Sequence, residues 1–266
     1  MDIANNLDNL SNLHNVNNQE ITSYLQNILN VDSFKDYCPN GLQIEGTKNI
    51  QTIISGVTIN QELIEQAIIH KAQGILVHHG IFWKGDNPCI TGIKKNRLQA
   101  LLKYDLNLWA YHLPLDAHPQ YGNNACIGKL LGLDIYSYFG DQNLGCMSSI
   151  NNHNIYTSQY ELHSALEHIF QRKVNVFGNL NRDIKKIAWC SGGAQSYFTA
   201  AIQQGCDVFI SGEISEQYVH TAKEYNVLYM AAGHHATERY GVQALGGHLA
   251  QKYNIEHIFV DIDSGF

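Results

Sequence analysis

Two histidines, His78 and His79, stand side by side at the end of the apolar run Ile75-Leu76-Val77. Ligand-binding and catalytic groups of α/β folds gather at the carboxyl ends of strands, so this is a place for chemistry. Imidazole is the commonest protein ligand for transition metals. Neighbouring strand residues point to opposite sides, so the pair is expected to serve two ions flanking the strand end rather than one. An isolated His-His pair also reads as one core and one surface histidine. The spacing His-x-x-x-Glu occurs at His163/Glu167, His220/Glu224 and His234/Glu238. Residues four apart on a helix share a face and can chelate one ion. The first two pairs lie in amphipathic stretches and read as solvated faces. The third follows an apolar strand and Gly233, so it is expected to open a helix at a strand end. Asp116 sits between Pro114 and Pro119 in an expected stiff loop, which suits a metal ligand, although taken alone it reads first as ordinary turn chemistry.

Together His78, His79, Asp116, His234 and Glu238 form a mixed imidazole and carboxylate set. Such donors suit zinc, manganese or iron better than calcium or magnesium. Five ligands with shared carboxylates suit two divalent ions per chain, an arrangement that generates hydroxide at neutral pH. His112 becomes a candidate to orient the site or occupy an open position, and His112 and His235 are candidates to move protons. Ser191-Gly192-Gly193 reads as a phosphate-binding turn at a helix start or as a plain turn. Glu213 is a pocket candidate, and Phe82 and Trp83 either wall a pocket or pack the core. The sequence has no Gly-x-x-x-x-Gly-Lys-Ser/Thr, Gly-x-Gly-x-x-Gly or His-Glu-x-x-His motif.

Positioning these groups requires a regular frame. Ile21, Tyr24, Leu25, Ile28 and Leu29 fall at helical spacing, and Asp36 to Gly41 is turn chemistry. Strands are predicted at 52–57, 75–77 and 107–111, with helices at 61–73, capped by Gly74, and at 94–104. The second half repeats the order: strands at 186–190, 208–210 and 227–231, and helices at 194–204 and 215–225. In each half the last strand runs into a histidine with an acid four residues on, His112/Asp116 and His234/Glu238. This predicts an α/β fold of two interlinked lobes of similar architecture, mixed sheets flanked by helices, although any α/β chain shows some such order. The expected lobes are 1–126 with 232–266, and 127–231. A helix is expected near 160–170, a long one through 240–252, and a final strand at 257–261.

Composition sets the outer bounds. The 266 residues carry 17 Lys and Arg against 24 Asp and Glu, a net charge of −7 that argues against a general nucleic-acid or anionic-membrane binder. The six cysteines form no Cys-x-x-Cys pair and read as scattered reduced thiols. The Asn-rich start has no basic or apolar signal character, and no run is long enough to span a membrane, so a soluble cytoplasmic protein is expected.

Four motifs occur in order: Tyr37-Cys38-Pro39-Asn40-Gly41-Leu42-Gln43-Ile44-Glu45, Val77-His78-His79-Gly80-Ile81-Phe82-Trp83, His112-Leu113-Pro114-Leu115-Asp116-Ala117-His118 and Gly233-His234-His235-Ala236-Thr237-Glu238-Arg239. Together they resemble the NIF-three-like family, whose members are often labelled GTP cyclohydrolase 1 type 2 homologues. The resemblance runs from about Ile21 to Ile262 and is to the short bacterial form. It implies a dinuclear metal centre on His78, His79, Asp116, His234 and Glu238, and a ring-shaped homohexamer with sites facing an internal cavity. Two functions follow as expectations. One is a metal-dependent hydrolase in which activated water opens the ring of a small-molecule substrate such as a purine nucleotide. The other is a metal-binding regulatory or scaffold protein that turns nothing over.

Overall fold

The structure is a computed structural model that describes residues 14–150, 156, 158–179 and 183–265. The Asn-rich stretch ahead of residue 14 lies outside the described residues. The chain divides into two compact units, Met1–Leu115 with Val242–Ile262, and Asp116–Gly241 with Asp263–Phe266. The division falls after 115 and after 241, where the sequence pattern put it after 126 and after 231.

In the first unit β1 (Val16–Asn17) leads into α1 (Asn18–Ile28), whose first turn is capped by the Asn17 side chain accepting from Gln19 N at 2.8 Å. The elements β2 (Gly41–Ile44), β3 (Asn49–Ile50), β4 (Thr52–Thr58), α2 (Gln61–Ile69), β5 (Gly74–His79), α3 (Gly92–Lys103) and β6 (Asn107–Ala110) follow. The strands β4, β5 and β6 run parallel in that order. The strand Glu256–Phe259 adds in parallel beside β4, and β2 adds antiparallel beside β6. Ile54, Ile75, Val77 and Leu108 are buried, as strands covered on both faces require. One sequence expectation fails here. α2 stops at Ile69, four residues early, and Gly74 is not its cap but the first residue of β5. The helix is closed instead by His70 and by Lys71, left-handed at φ +53°, while Gly74 is a glycine because the Trp109 ring lies in the space a Cβ would need.

A second correction concerns the segment after β6. Leu113–Ala117 is a one-turn helix, α4, not a stiff loop. Pro114 stands in its first turn, where a missing N–H costs nothing.

The second unit holds α5 (Asn123–Leu131), β7 (Ser137–Phe139), β8 (Gly145–Ser149), α6 (Gln159–Phe170), β9 (Asn175–Phe177) and β10 (Lys186–Cys190). A 3₁₀ turn at Gln195–Tyr197 and the short α7 (Phe198–Gln203) replace the single helix expected at 194–204. Then come β11 (Val208–Ser211), α8 (Glu216–Tyr225), β12 (Leu228–Ala231) and α9 (His234–Tyr253), whose last turns belong to the first unit. The sheet order is β7-β8-β10-β11-β12-β9, with β10, β11 and β12 parallel and the others antiparallel. Trp189, Phe170, Ile187 and Met230 are buried in this unit's core. Beside the small antiparallel pair of β1 and β3, both large sheets are therefore mixed and flanked by helices, the fold class the sequence pattern predicts. Among the described residues no helix is long and apolar enough to cross a membrane.

Candidate metal centre

β5 carries the first cluster. Its last two residues are His78, fully buried, and His79, partly exposed. The strand alternation expected to part them does not do so: their ring centroids are 4.6 Å apart. His112, just beyond β6, brings a third ring, 4.9 Å from His78 and 5.6 Å from His79. One ring nitrogen of each lies within 4.8 Å of the other two. Trp83 walls the group, edge-on to His112 at 5.2 Å.

Hydrogen bonds set how these rings present themselves. His78 Nδ1 donates to the Tyr111 carbonyl at 2.9 Å, because a carbonyl can only accept. In the neutral ring Nε2 is then the lone-pair nitrogen, the one a cation takes. His79 Nδ1 is hydrogen-bonded to Thr58 Oγ1 at 2.9 Å, and Thr58 is its cross-strand partner in register. His112 Nδ1 meets Asp36 Oδ1 at 2.7 Å. Burial pushes the Asp36 carboxyl up, but hydrogen bonds from His112 and Asn40 and attraction to His112 outweigh it and hold the group down at about 2. Cys38 lies beside this pair. Burial and the Asp36 carboxylate push its thiol up to about 12, so it stays protonated and is a poor ligand.

The second unit carries a different cluster. Asp116 is buried in α4, where its Oδ1 accepts from Asn123 Nδ2 at 2.8 Å and from Ser191 Oγ at 2.9 Å. Asn123 opens α5 and Ser191 directly follows β10, so two elements aim one carboxylate. Glu238 is also buried, one turn into α9, and a carboxylate oxygen of each acid lies within 4.8 Å of the other. His234, the first residue of α9, places Nε2 3.1 Å from Glu238 Oε2. Its Nδ1 is bound by Glu213, which follows β11. Burial disfavours a charge on His234, but the hydrogen bonds and charges of Glu238 and Glu213 outweigh it and raise the ring to about 9. Gly192, at φ +67°, packs its backbone against the Glu238 carboxylate, where no side chain would fit. Burial, then Asp116, Cys146 and Glu238, push the Cys190 thiol far above its usual range. Two buried acids this close repel unless a cation or proton stands between them. The donor set therefore fits a divalent cation: oriented imidazole nitrogens in one unit, and carboxylates with an oriented imidazole in the other.

The family model Duf34/NIF3 (NGG1p interacting factor 3) matches residues 16–265. The chain belongs to the DUF34/NIF3 family. A relative from Yersinia pestis, named GTP cyclohydrolase 1 type 2 homolog, is 45% identical over 249 residues, covering 92% of this chain and 98% of the relative. One of the same name from Escherichia coli K12 is 41% identical, with 92% and 98% covered. A solved structure titled protein ybgI, of unknown function, superposes with a TM-score of 0.88 at 40% identity, covering 94% of this chain and 99% of that one.

In this DUF34/NIF3 member the residues singled out from sequence separate into groups. His78 and His79 meet His112 in one unit, and Asp116, His234 and Glu238 meet in the other, with Glu213 behind His234. His235 is buried one residue further along α9 and belongs to neither cluster. The pair His163/Glu167 is a clasp rather than a solvated face: His163 Nε2 donates to the Val174 carbonyl at 2.9 Å, and Glu167 accepts from Val174 N at 3.1 Å. His220 and Glu224 are exposed. Sequence reasoning missed Asp36, Thr58 and Asn123. Asp36 stood in plain view at the head of a turn read only as turn chemistry, while nothing local marks the other two.

Proposed function

We propose that His78, His79, Asp116, His234 and Glu238 together hold two divalent ions, of zinc, manganese or iron, and that the protein is a metal-dependent hydrolase. The observation that carries this is the pairing of Asp116 and Glu238, two buried acids within 4.8 Å beside an imidazole already oriented by Glu213. Its support in sequence is the identity of 45% and 41% to relatives named GTP cyclohydrolase 1 type 2 homolog. Divalent ions, when bound, lower the pKa of water to about 7 and polarise the bond attacked. The chain's own residues do the rest. Tyr111 O, Thr58 and Glu213 keep the imidazoles turned with Nδ1 engaged, and Asn123 and Ser191 hold Asp116 against rotation. His112 and His235 move protons. The substrate class is a small purine nucleotide whose imidazole ring is opened at the carbon between two nitrogens, that carbon leaving as formate. We also propose a homohexamer, and a reducing, cytoplasmic setting that suits six cysteines present as thiols.

The test is to load the protein with manganese, iron or zinc, count ions by elemental analysis, and incubate it with a nucleotide panel followed by mass. About two ions per chain and formate release from one nucleotide are expected. Asp116→Asn, purified identically, must lose that activity; equal ring opening in both preparations would assign it to a contaminant. Two ions held with no product formed would make this a metal-binding protein of another role. Light scattering at about six times 29.9 kDa is the expected mass, and a monomer would remove the ring.

A further inference from the structure

The turn Asp36–Asn40, turn chemistry by its sequence, gathers four hydrogen bonds on one carboxylate. A carboxylate offers about four acceptor positions. Asp36 has all four in use. Its Oδ1 accepts from Tyr37 N at 2.6 Å and meets His112 Nδ1 at 2.7 Å. Its Oδ2 accepts from Asn40 Nδ2 at 2.8 Å and from Leu113 N at 3.0 Å. The Asp36 side chain is only 3% exposed, so water does not compete for these positions. The backbone of His112 is held as firmly as its ring, since His112 N donates to Asn40 Oδ1 at 2.7 Å. One five-residue turn thus fixes both the main chain and the side chain of a residue 72 positions away from Asn40.

Two consequences follow. A carboxylate with every acceptor position filled has none left for a cation, so Asp36 is not a metal ligand although it lies near Cys38 and His112. An acceptor-only partner also decides the tautomer: Nδ1 of His112 carries the hydrogen, and Nε2 is the ring nitrogen left to accept one. That ring stands beside His78 and His79 and is packed edge-on by Trp83, which blocks it from swinging.

Resting on the hydrolase reading above, we propose that Asp36 is the positioning residue of an Asp36–His112 proton-transfer dyad. Nε2 of His112 takes a hydrogen from the attacking water as the new carbon–oxygen bond forms. It gives that hydrogen to the nitrogen onto which the carbon–nitrogen double bond opens. The remaining hydroxyl hydrogen then passes through Nε2 to the other ring nitrogen as its bond to carbon breaks, leaving a formamide that a second water cleaves to formate, so the dyad ends as it began and Asp36 stays ionised throughout. Orientation by a buried carboxylate of this kind keeps an imidazole in its working tautomer.

The experiment uses zinc-loaded full-length protein with ¹⁵N-labelled histidine. The expected side-chain spectrum of wild type shows His112 protonated at Nδ1; a His112 found as the Nε2–H tautomer overturns the proposal without any variant. Asp36→Asn is expected to keep its metal content, to lose the single Nδ1–H tautomer, and to lower turnover of the nucleotide that wild type opens by about 100-fold with KM nearly unchanged. Asp36→Glu is expected to recover part of both signals. Loss of metal from Asp36→Asn, or an unchanged tautomer, would overturn the positioning role. If wild type opens no nucleotide, the hydrolase reading fails, and the dyad fails with it as a catalytic device; a correct tautomer with normal turnover in Asp36→Asn would sink the dyad alone.

Discussion

In the first unit the candidate ligands His78 and His79 are the last residues of a strand, and their rings are oriented by neutral groups, the Tyr111 carbonyl and the Thr58 hydroxyl. In the second unit His234 is the first residue of a helix, and its ring is oriented by the Glu213 carboxylate with Glu238 on its other nitrogen. Both units are built on three consecutive parallel strands, β4-β5-β6 and β10-β11-β12, with an antiparallel strand beside the third. The same frame therefore presents two kinds of donor at its strand ends. The comparison teaches that the electrostatics belong to the side chains that follow each strand and not to the fold. One cluster is made of imidazoles alone; the other is acidic enough to raise a histidine to about 9 and to push a neighbouring thiol far up.

The largest expected effect strikes the acidic cluster. Glu238→Ala is expected to weaken divalent-ion binding by more than about 100-fold, whereas Glu224→Ala, at the same spacing from a histidine on an exposed helix face, leaves it unchanged. Titration with manganese followed by calorimetry reads both, and equal affinities would erase the distinction between the two pairs.

Removing an orienting carboxylate comes next. Glu213→Gln keeps the shape but not the charge, and its expected cost is about 10- to 100-fold in metal affinity. A variant that binds as wild type would show that His234 needs no charged partner.

The histidines also predict opposite pH behaviour for the two units in metal-free protein. Burial lowers His257, in the first unit, to about 4, and Ser55 Oγ meets its Nε2 at 2.7 Å. A depressed histidine binds fewer protons folded than unfolded, so its contribution to stability is intact above about 6.5 and lost as pH falls toward about 4, on the order of 2 kcal/mol. His234 is raised, so its contribution is present below about 6.5 and lost as pH rises through about 9. Denaturant midpoints across pH should therefore fall at both ends. His257→Gln should flatten the acid limb alone, and an unaltered acid limb would contradict the assignment.

The smallest effect is expected at Thr58→Val, which removes a neutral orienting hydroxyl from His79. A loss of metal affinity of a few-fold, clearly below that of Glu213→Gln, is the outcome that keeps the contrast. A loss as large as that of Glu213→Gln would mean that charge is not what separates the clusters.

Apolar runs, glycine and proline placement and the 3.6-residue spacing are local properties, and they sufficed for the strands through Val77, Leu108, Ala188, Ile210 and Tyr229 and for the mixed α/β class. They also marked His78, His79, Asp116, His234 and Glu238 as donors at strand ends, since strand ends can be read from where apolar runs stop. Local reading failed where a distant ring or backbone decided the matter. Gly74 opens a strand with the Trp109 ring lying on it instead of capping a helix, and Pro114 stands in the first turn of a helix rather than in a stiff loop. His78 and His79 come together although strand alternation alone sends them apart. The partners that give the candidate ligands their tautomers were invisible for the same reason. Asp36 and His112 are 76 residues apart, and Asp116 and Ser191 are 75 apart. Which lone pair faces which proton is fixed by directional contacts of a few ångströms between such distant segments, and only the folded chain brings them within reach.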